Sequence, residues 1–196
     1  MKAFIDWAMS AEGRPSCRRS ATSRSNRIAG VNAERFLILL RHAVAEEASA
    51  DVSDEDRSLT SEGHARMKQI ARGLEVALPR VDALYSSPLV RAQQTAMWVS
   101  KAYRARLEIN TTEALAPAAS VEEFRKLIDA IDEKRAIVVG HEPNLTEILR
   151  SLIGIDASRV VELQKGGCYG VRINADGTAV LEWLLPPRIL LKLGEE

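Results

Sequence analysis

Two short apolar runs, each followed closely by a histidine, constrain the fold of this chain more than any other feature. The first run, residues 36–40, ends at Arg41 and His42. The second run, residues 136–139, is separated from His141 by Gly140 alone. Unbroken apolar runs of this length are typical of strands buried on both faces of a parallel sheet. Because open α/β sheets bind ligands at the carboxyl ends of their strands, both histidines are expected at that edge.

The rest of the chain alternates between helical and strand patterns. Two helices are predicted from Thr60 to Pro79 and from Pro88 to Tyr103. Two more are predicted, one after a capping box formed by Ser120 and Glu123 and one after an Asn144 cap. Strands are predicted over 81–86, 107–111, 168–173 and 179–184. The last two strands flank turn residues and form a hairpin. The pattern predicts an α/β fold with three α/β/α layers, a mainly parallel central sheet and an antiparallel edge hairpin.

Length and composition favour one folded domain with at most one appended segment. The chain has 196 residues, of which 46% are hydrophobic and 28% charged, as in ordinary globular proteins. We predict a folded domain over residues 35–196 and a flexible tail over residues 1–34. The Arg- and Ser-rich stretch at 14–27 buries too little apolar surface to offset the entropy of ordering it. An organelle transit peptide has a similar composition, but we favour the flexible tail.

Charge and cysteine content exclude several classes of function. Lys and Arg together number 27, as do Asp and Glu, so we expect neither nucleic acid nor a membrane surface as partner. No apolar run approaches the roughly 20 residues that span a bilayer. Cys17 and Cys168 lie far apart, which argues against a disulfide framework and a zinc site. We therefore expect a cytoplasmic protein without a metal or other cofactor; the sequence indicates no oligomeric state.

Arginine and histidine side chains are predicted to converge on a phosphoryl site. Arg91 follows the second strand in the first turn of a helix, where backbone N–H groups and the guanidinium both favour an anion. Two arginines and two histidines at one point call for a dianionic ligand. The arginine charges lower histidine pKa values, so His42 can attack phosphorus and form a covalent intermediate. Arg41, Arg91 and His141 then stabilise the transferred group. His64, among polar helix residues, is assigned no role.

Three motifs resemble the histidine phosphatase superfamily, the phosphoglycerate-mutase-like enzymes. Residues 40–43, Leu-Arg-His-Ala, resemble its Arg-His-Gly signature, residues 85–95 its second-arginine motif, and residues 139–141 its second-histidine motif. The motifs occur in the family's order, and the match runs from about Phe36 to the C-terminus. One departure is Ala43, where the family usually has glycine; we expect a modest change in backbone freedom.

Within the superfamily, the chain is most similar to short SixA-type phosphohistidine phosphatases. Residues 56–63, 140–145 and 183–187 carry this likeness. The resemblance implies that Arg57 is a further phosphate ligand, although a solvated charge is an alternative reading. Larger members use a glutamate as general acid, and Glu113 lies at about that place. SixA-like enzymes are thought to work without a strong acid.

The resemblance implies a metal-independent phosphohistidine phosphatase that uses His42 as nucleophile. The implied partner is a histidine-phosphorylated protein, such as a phosphotransfer domain or carrier. The interval between Arg91 and His141 leaves no room for a segment capping the pocket, which suits a side chain presented by another protein. Two alternatives stay open: a small-molecule phosphomonoesterase with Glu113 as general acid, with Glu108 and Glu142 as competing candidates, and a non-catalytic protein that binds phospho-ligands.

Overall fold

The computed structural model describes residues 34–155 and 162–195. The tail predicted over residues 1–34 lies outside the described residues except for its last residue. The proposed boundary near residue 35 therefore stays a prediction.

In the described part of the chain, six strands form one mixed sheet in the order β3-β2-β4-β1-β5-β6. Their bounds are β1 Arg35–Arg41, β2 Ala83–Ser86, β3 Ile109–Thr111, β4 Arg135–Gly140, β5 Cys168–Ile173 and β6 Ala179–Leu185. The first four strands in chain order pair in parallel. Strands β5 and β6 pair antiparallel and lie at one side of the sheet. The predicted α/β class, the mainly parallel sheet and the antiparallel edge hairpin are confirmed.

Within the residues that the structure describes, five helices cover the two faces of the sheet. They are α1 Ser61–Ala77, α2 Val90–Ala102, α3 Val121–Ala130, α4 Asn144–Ile153 and α5 Pro187–Leu193, with a short 3-10 helix at Glu113–Leu115. One core cluster packs α1, α2 and α5 against the sheet, and a second packs α3 and α4 against the other face. Most side chains of β1 and β4 are almost fully buried, which explains why their sequences are continuously apolar.

Helix starts agree with the sequence in part. The Thr60 hydroxyl accepts a hydrogen bond from the Gly63 N–H, and the capping box at Ser120 is present. The prediction that Pro88 lies in the first turn of α2 is wrong, because Leu89 is the N-cap. Asn144 does not cap α4 with its side chain: its amide instead donates to three carbonyl groups in the loop before α3, those of Ala116, Pro117 and Ala119.

Strand register determines which residues meet at the carboxyl edge of the sheet. Arg41 at the end of β1 is paired with Gly140 at the end of β4. Ser86 at the end of β2 is paired with Val139 on the other side of β4. The residues that follow these three strands are therefore neighbours. Among the helices of residues 34–155 and 162–195, none is long and apolar enough to cross a membrane.

Candidate active site

His42 and His141 lie side by side at the carboxyl edge of the sheet, as predicted. Their ring centroids are 5.0 Å apart, and the ring planes are inclined by 51°. Both residues are buried, with 7% and 3% of their surface exposed. The pairing of β1 with β4 produces this proximity, because each histidine is the first residue beyond its strand.

A backbone hydrogen bond fixes the tautomer of His42. Its Nδ1 lies 2.7 Å from the carbonyl oxygen of Ala43. Since a carbonyl can only accept, Nδ1 carries the proton and the Nε2 lone pair is available. Burial lowers the pKa of His42 to about 4; the Ala43 carbonyl opposes this effect, and the charges on Arg91 and Arg41 add to it. His42 is therefore neutral near pH 7.

His141 keeps one ring nitrogen without a partner. Its Nε2 lies 2.8 Å from the hydroxyl oxygen of Ser87, whereas Nδ1 is buried and unbonded. The Ser87 backbone N–H donates to the Val139 carbonyl, so the serine lies against the end of β4. Burial lowers the pKa of His141 to about 3, with further contributions from His42 and Arg91. A buried nitrogen without a hydrogen bond is uncommon and is suited to a ligand.

Arg91 extends from the first turn of α2 into the interior, and only 4% of its surface is exposed. Its Nη1 donates to the Asp54 backbone carbonyl at 2.5 Å, and its Nη2 donates to the Asp54 carboxylate at 2.9 Å. Its Nε is buried without a partner. The guanidinium thus binds the Asp54 carboxylate already, while its Nε–H is left without an acceptor.

Arg41 lies beside residues 162–166, the segment that precedes β5. Its Nη1 donates to the Leu163 carbonyl at 2.6 Å and pairs with the Glu162 carboxylate at 3.2 Å. Its Nε is buried and unpartnered. The Gly166 N–H bonds to the carbonyl groups of Arg41 and His42, so this segment is attached directly to the backbone of the site.

Arg57 lies in the same cluster through a shared partner. Its Nε and Nη2 donate to Asp54 Oδ1 at 2.9 and 2.5 Å, while Arg91 binds Oδ2. The sequence alone assigned no role to Asp54. The spacing of Asp54 and Arg57, three residues apart, was a weak signal. Nothing in the sequence indicated the contact with Arg91, which lies 37 residues away.

Glu113 is set apart from this cluster in the contacts that the structure describes. It is exposed at the start of the 3-10 helix, and its backbone carbonyl bonds to Ala116. Of its competitors, Glu142 accepts hydrogen bonds from Thr146 and from the Leu163 N–H, so it is engaged in holding the backbone. Glu108 is exposed.

Alanine is accommodated at position 43. The Ala43 N–H donates to the Thr95 hydroxyl at 3.1 Å, and its methyl group belongs to the core cluster beneath the site. Ala43 is not among the non-glycine residues with a positive φ angle. This position therefore does not require a glycine.

No group of three or more His, Cys, Asp or Glu side chains that could hold a metal ion occurs within residues 34–155 and 162–195.

Comparisons with known proteins identify a family and several relatives. Residues 37–120 match the family model of the histidine phosphatase superfamily, branch 1. An uncharacterised protein of Picosynechococcus sp. is 29% identical over 164 residues, covering 76% of this chain and 99% of the relative. An uncharacterised protein of Mycobacterium tuberculosis is 32% identical over 122 residues, covering 61% and 75% respectively.

Two solved structures show the same fold. The protein histidine phosphatase SixA complexed with tungstate aligns with a TM-score of 0.70 and 20% identity over 79% of this chain and 99% of that one. A protein of Agrobacterium tumefaciens, assigned as a phosphohistidine phosphatase SixA, aligns with a TM-score of 0.67 and 28% identity over 78% and 98%. The chain belongs to the histidine phosphatase superfamily and is similar to its SixA-type members.

Proposed function

We propose that this chain is a phosphohistidine phosphatase that removes phosphoryl groups from protein histidine through a covalent intermediate on His42. One observation carries the proposal: the His42 imidazole is held neutral, with its Nε2 lone pair free, beside a second buried histidine and two arginines. A nucleophile needs this protonation state, whereas a site that only binds an anion does not.

The roles of the neighbouring residues follow from their charge and their free donors. Arg91 and Arg41 each retain a buried Nε without a partner, and His141 retains Nδ1. We assign these three residues to the phosphoryl oxygens, where charge develops during transfer. Arg57 is assigned to the same group because it already shares an anion with Arg91.

The reaction has two steps. His42 Nε2 attacks phosphorus, and the phosphorus–nitrogen bond of the substrate breaks with its electron pair going to the leaving ring. A substrate ring protonated on its other nitrogen leaves as neutral imidazole and needs no proton from the enzyme. Water then attacks phosphorus, the bond to Nε2 breaks, and His42 is regenerated as inorganic phosphate leaves with both protons of the water.

A phosphohistidine substrate places no demand on Glu113, whereas an ester substrate does. An alkyl ester needs a proton delivered to its leaving oxygen, and Glu113 makes no described contact with the histidines or arginines of the site. The similarity to SixA-type structures supports the same substrate class. We propose that the partner is a phosphotransfer domain or carrier protein and that no metal is required.

The test is phosphate release by the full chain in the presence of EDTA, from a histidine-phosphorylated carrier protein and from a sugar phosphate, an alkyl ester whose leaving oxygen needs a proton. We expect fast release from the protein, weak turnover of the ester, and loss of both in His42→Ala. His64→Ala is the matched control, because His64 lies on α1 and its Nδ1 accepts from the Trp98 indole N–H. Wild type quenched in alkaline detergent, in which a phosphohistidine survives, should carry label on His42 after reaction with substrate labelled in its phosphoryl group.

Other outcomes separate the alternatives. Fast ester turnover that falls in Glu113→Gln would identify a small-molecule phosphomonoesterase. Binding of phosphoprotein without turnover would identify a non-catalytic binding protein. Phosphate release that persists in His42→Ala would exclude the covalent mechanism for either substrate.

A further inference from the structure

The Asp54 carboxylate occupies the cationic side of the pocket. Its two oxygens accept three hydrogen bonds, two from Arg57 and one from Arg91. It is also close enough to His141 for its charge to affect that ring. A carboxylate held by two guanidinium groups is the arrangement expected of an oxyanion ligand, here supplied by the chain itself.

The exposed fractions of the Arg91 and Asp54 side chains indicate which of the two partners can move. The Arg91 side chain is 5% exposed, whereas the Asp54 side chain is 58% exposed. Arg91 is buried in the first turn of α2, so its position is fixed by the packing around it. Its buried charge needs an anionic partner, whether Asp54 or a bound ligand. Asp54 can rotate into water, where a carboxylate is well solvated. The arginines are therefore a fixed receptor, and the carboxylate is an exchangeable occupant.

We propose that Asp54 competes with the incoming phosphoryl group for Arg91 and Arg57, and so determines which anions the pocket accepts. The proposal rests on the proposed function insofar as it takes this pocket to be the phosphoryl site. Substrate binding displaces the carboxylate into solvent and exchanges one negative charge for the two of a phosphoryl group. The Asp54 backbone carbonyl can stay bonded to Arg91 during this exchange.

Competition of this kind makes the pocket selective. Chloride, carboxylates and other singly charged anions offer the arginines no more charge than Asp54 already supplies. A dianionic phosphoryl group offers more charge and more acceptor oxygens. The same competition weakens retention of inorganic phosphate, which favours release of the product.

Direct binding of inorganic phosphate to the full chain tests the proposal by calorimetry. We expect Asp54→Asn and Asp54→Ala to lower the phosphate Kd about tenfold, the effect of removing a competing charge-assisted hydrogen bond. We expect acetate not to bind detectably to wild type but to compete with phosphate in both variants. Asp51→Asn removes the same charge from an exposed position in the same loop and should leave the Kd unchanged.

A higher phosphate Kd in the Asp54 variants would contradict the proposal that Asp54 competes with the phosphoryl group. If Asp54 instead orients the arginines, both variants bind phosphate more weakly than wild type. Unchanged binding in both folded variants would also exclude it, with circular dichroism reporting folding; if one variant does not fold, the other decides. With phosphoprotein substrate, competition predicts a lower KM and stronger inhibition by inorganic phosphate in both variants. Because the Kd is measured without turnover, a failure of the proposed phosphatase activity is distinguishable from a failure of this proposal.

Discussion

At the scale of single residues, the Thr95 hydroxyl joins the nucleophile segment to the arginine helix. It accepts from the Ala43 N–H at 3.1 Å and donates to the Arg91 carbonyl at 2.7 Å. Thr95 is fully buried, so neither bond can be replaced by water at the surface. One side chain therefore fixes the spacing between the residue after His42 and the residue that binds the anion.

Thr95→Val tests this link. Valine has nearly the same shape but leaves the Ala43 N–H buried without an acceptor, which should lower the free energy of unfolding by about 1–3 kcal/mol. Urea unfolding followed by circular dichroism measures the change. Thr95→Ser retains the hydroxyl and should retain most of the stability. Equal losses in the two variants would indicate that the methyl group matters rather than the hydrogen bonds.

At the scale of elements, α5 packs against α1 at a glycine. A Cβ atom at Gly73 would lie 1.9 Å from the Leu190 carbonyl oxygen, and one at Gly194 would lie 2.1 Å from the Gln69 carbonyl oxygen. In each case the added Cβ atom would meet a backbone oxygen, which cannot move away as the end of a flexible side chain could. The small residues thus set the distance between the two helices and the position of α5 on the sheet.

Gly73→Ala should destabilise the fold although alanine is the better helix former. Helix propensity alone predicts a gain of about 1 kcal/mol. The clash with α5 should outweigh that gain and lower the unfolding free energy by about 1–3 kcal/mol. Arg72→Ala, at the adjacent exposed position, is the control and should change stability little. A higher melting temperature for Gly73→Ala would contradict the close packing of α1 and α5.

At the scale of the whole molecule, burying two neutral histidines makes stability depend on pH. The pKa of His42 falls from 6.5 to about 4 and that of His141 to about 3. Between pH 4 and 6.5 the unfolded chain therefore binds more protons than the folded one, so stability is complete above pH 6.5 and falls as the pH decreases. For His42 alone the loss is roughly 3 kcal/mol, at about 1.4 kcal/mol per pH unit.

His42→Gln should reduce the slope of unfolding free energy against pH between 6.5 and 4. Denaturant titrations of wild type and variant at half-unit pH steps measure it. Above pH 7 the imidazole is neutral in both states, so the difference between the two proteins should be constant there and serves as an internal control. Parallel curves down to pH 4 would mean that His42 is protonated in the folded protein.

The sequence alone determined the fold class, the strands and most of the helices. Apolar runs such as residues 36–40 are typical of strands covered on both faces, and helical spacing marks the buried faces of α1 and α2. The order of strands and helices then placed Arg41, His42, Arg91 and His141 at one edge. Local sequence patterns predict strands and helices because each of these elements forms from residues that are close together in the chain.

Only the tertiary structure decided how the site is completed. The bond from His42 to the Ala43 carbonyl sets the tautomer, and the contact of Ser87 with His141 joins residues 54 positions apart. The Asp54 carboxylate reaches Arg91 across 37 positions. The position of Asn144 was misread for the same reason, since its three acceptors come from a distant loop. Contacts between side chains far apart in sequence leave no periodic trace, because their geometry exists only after the sheet has brought the loops together.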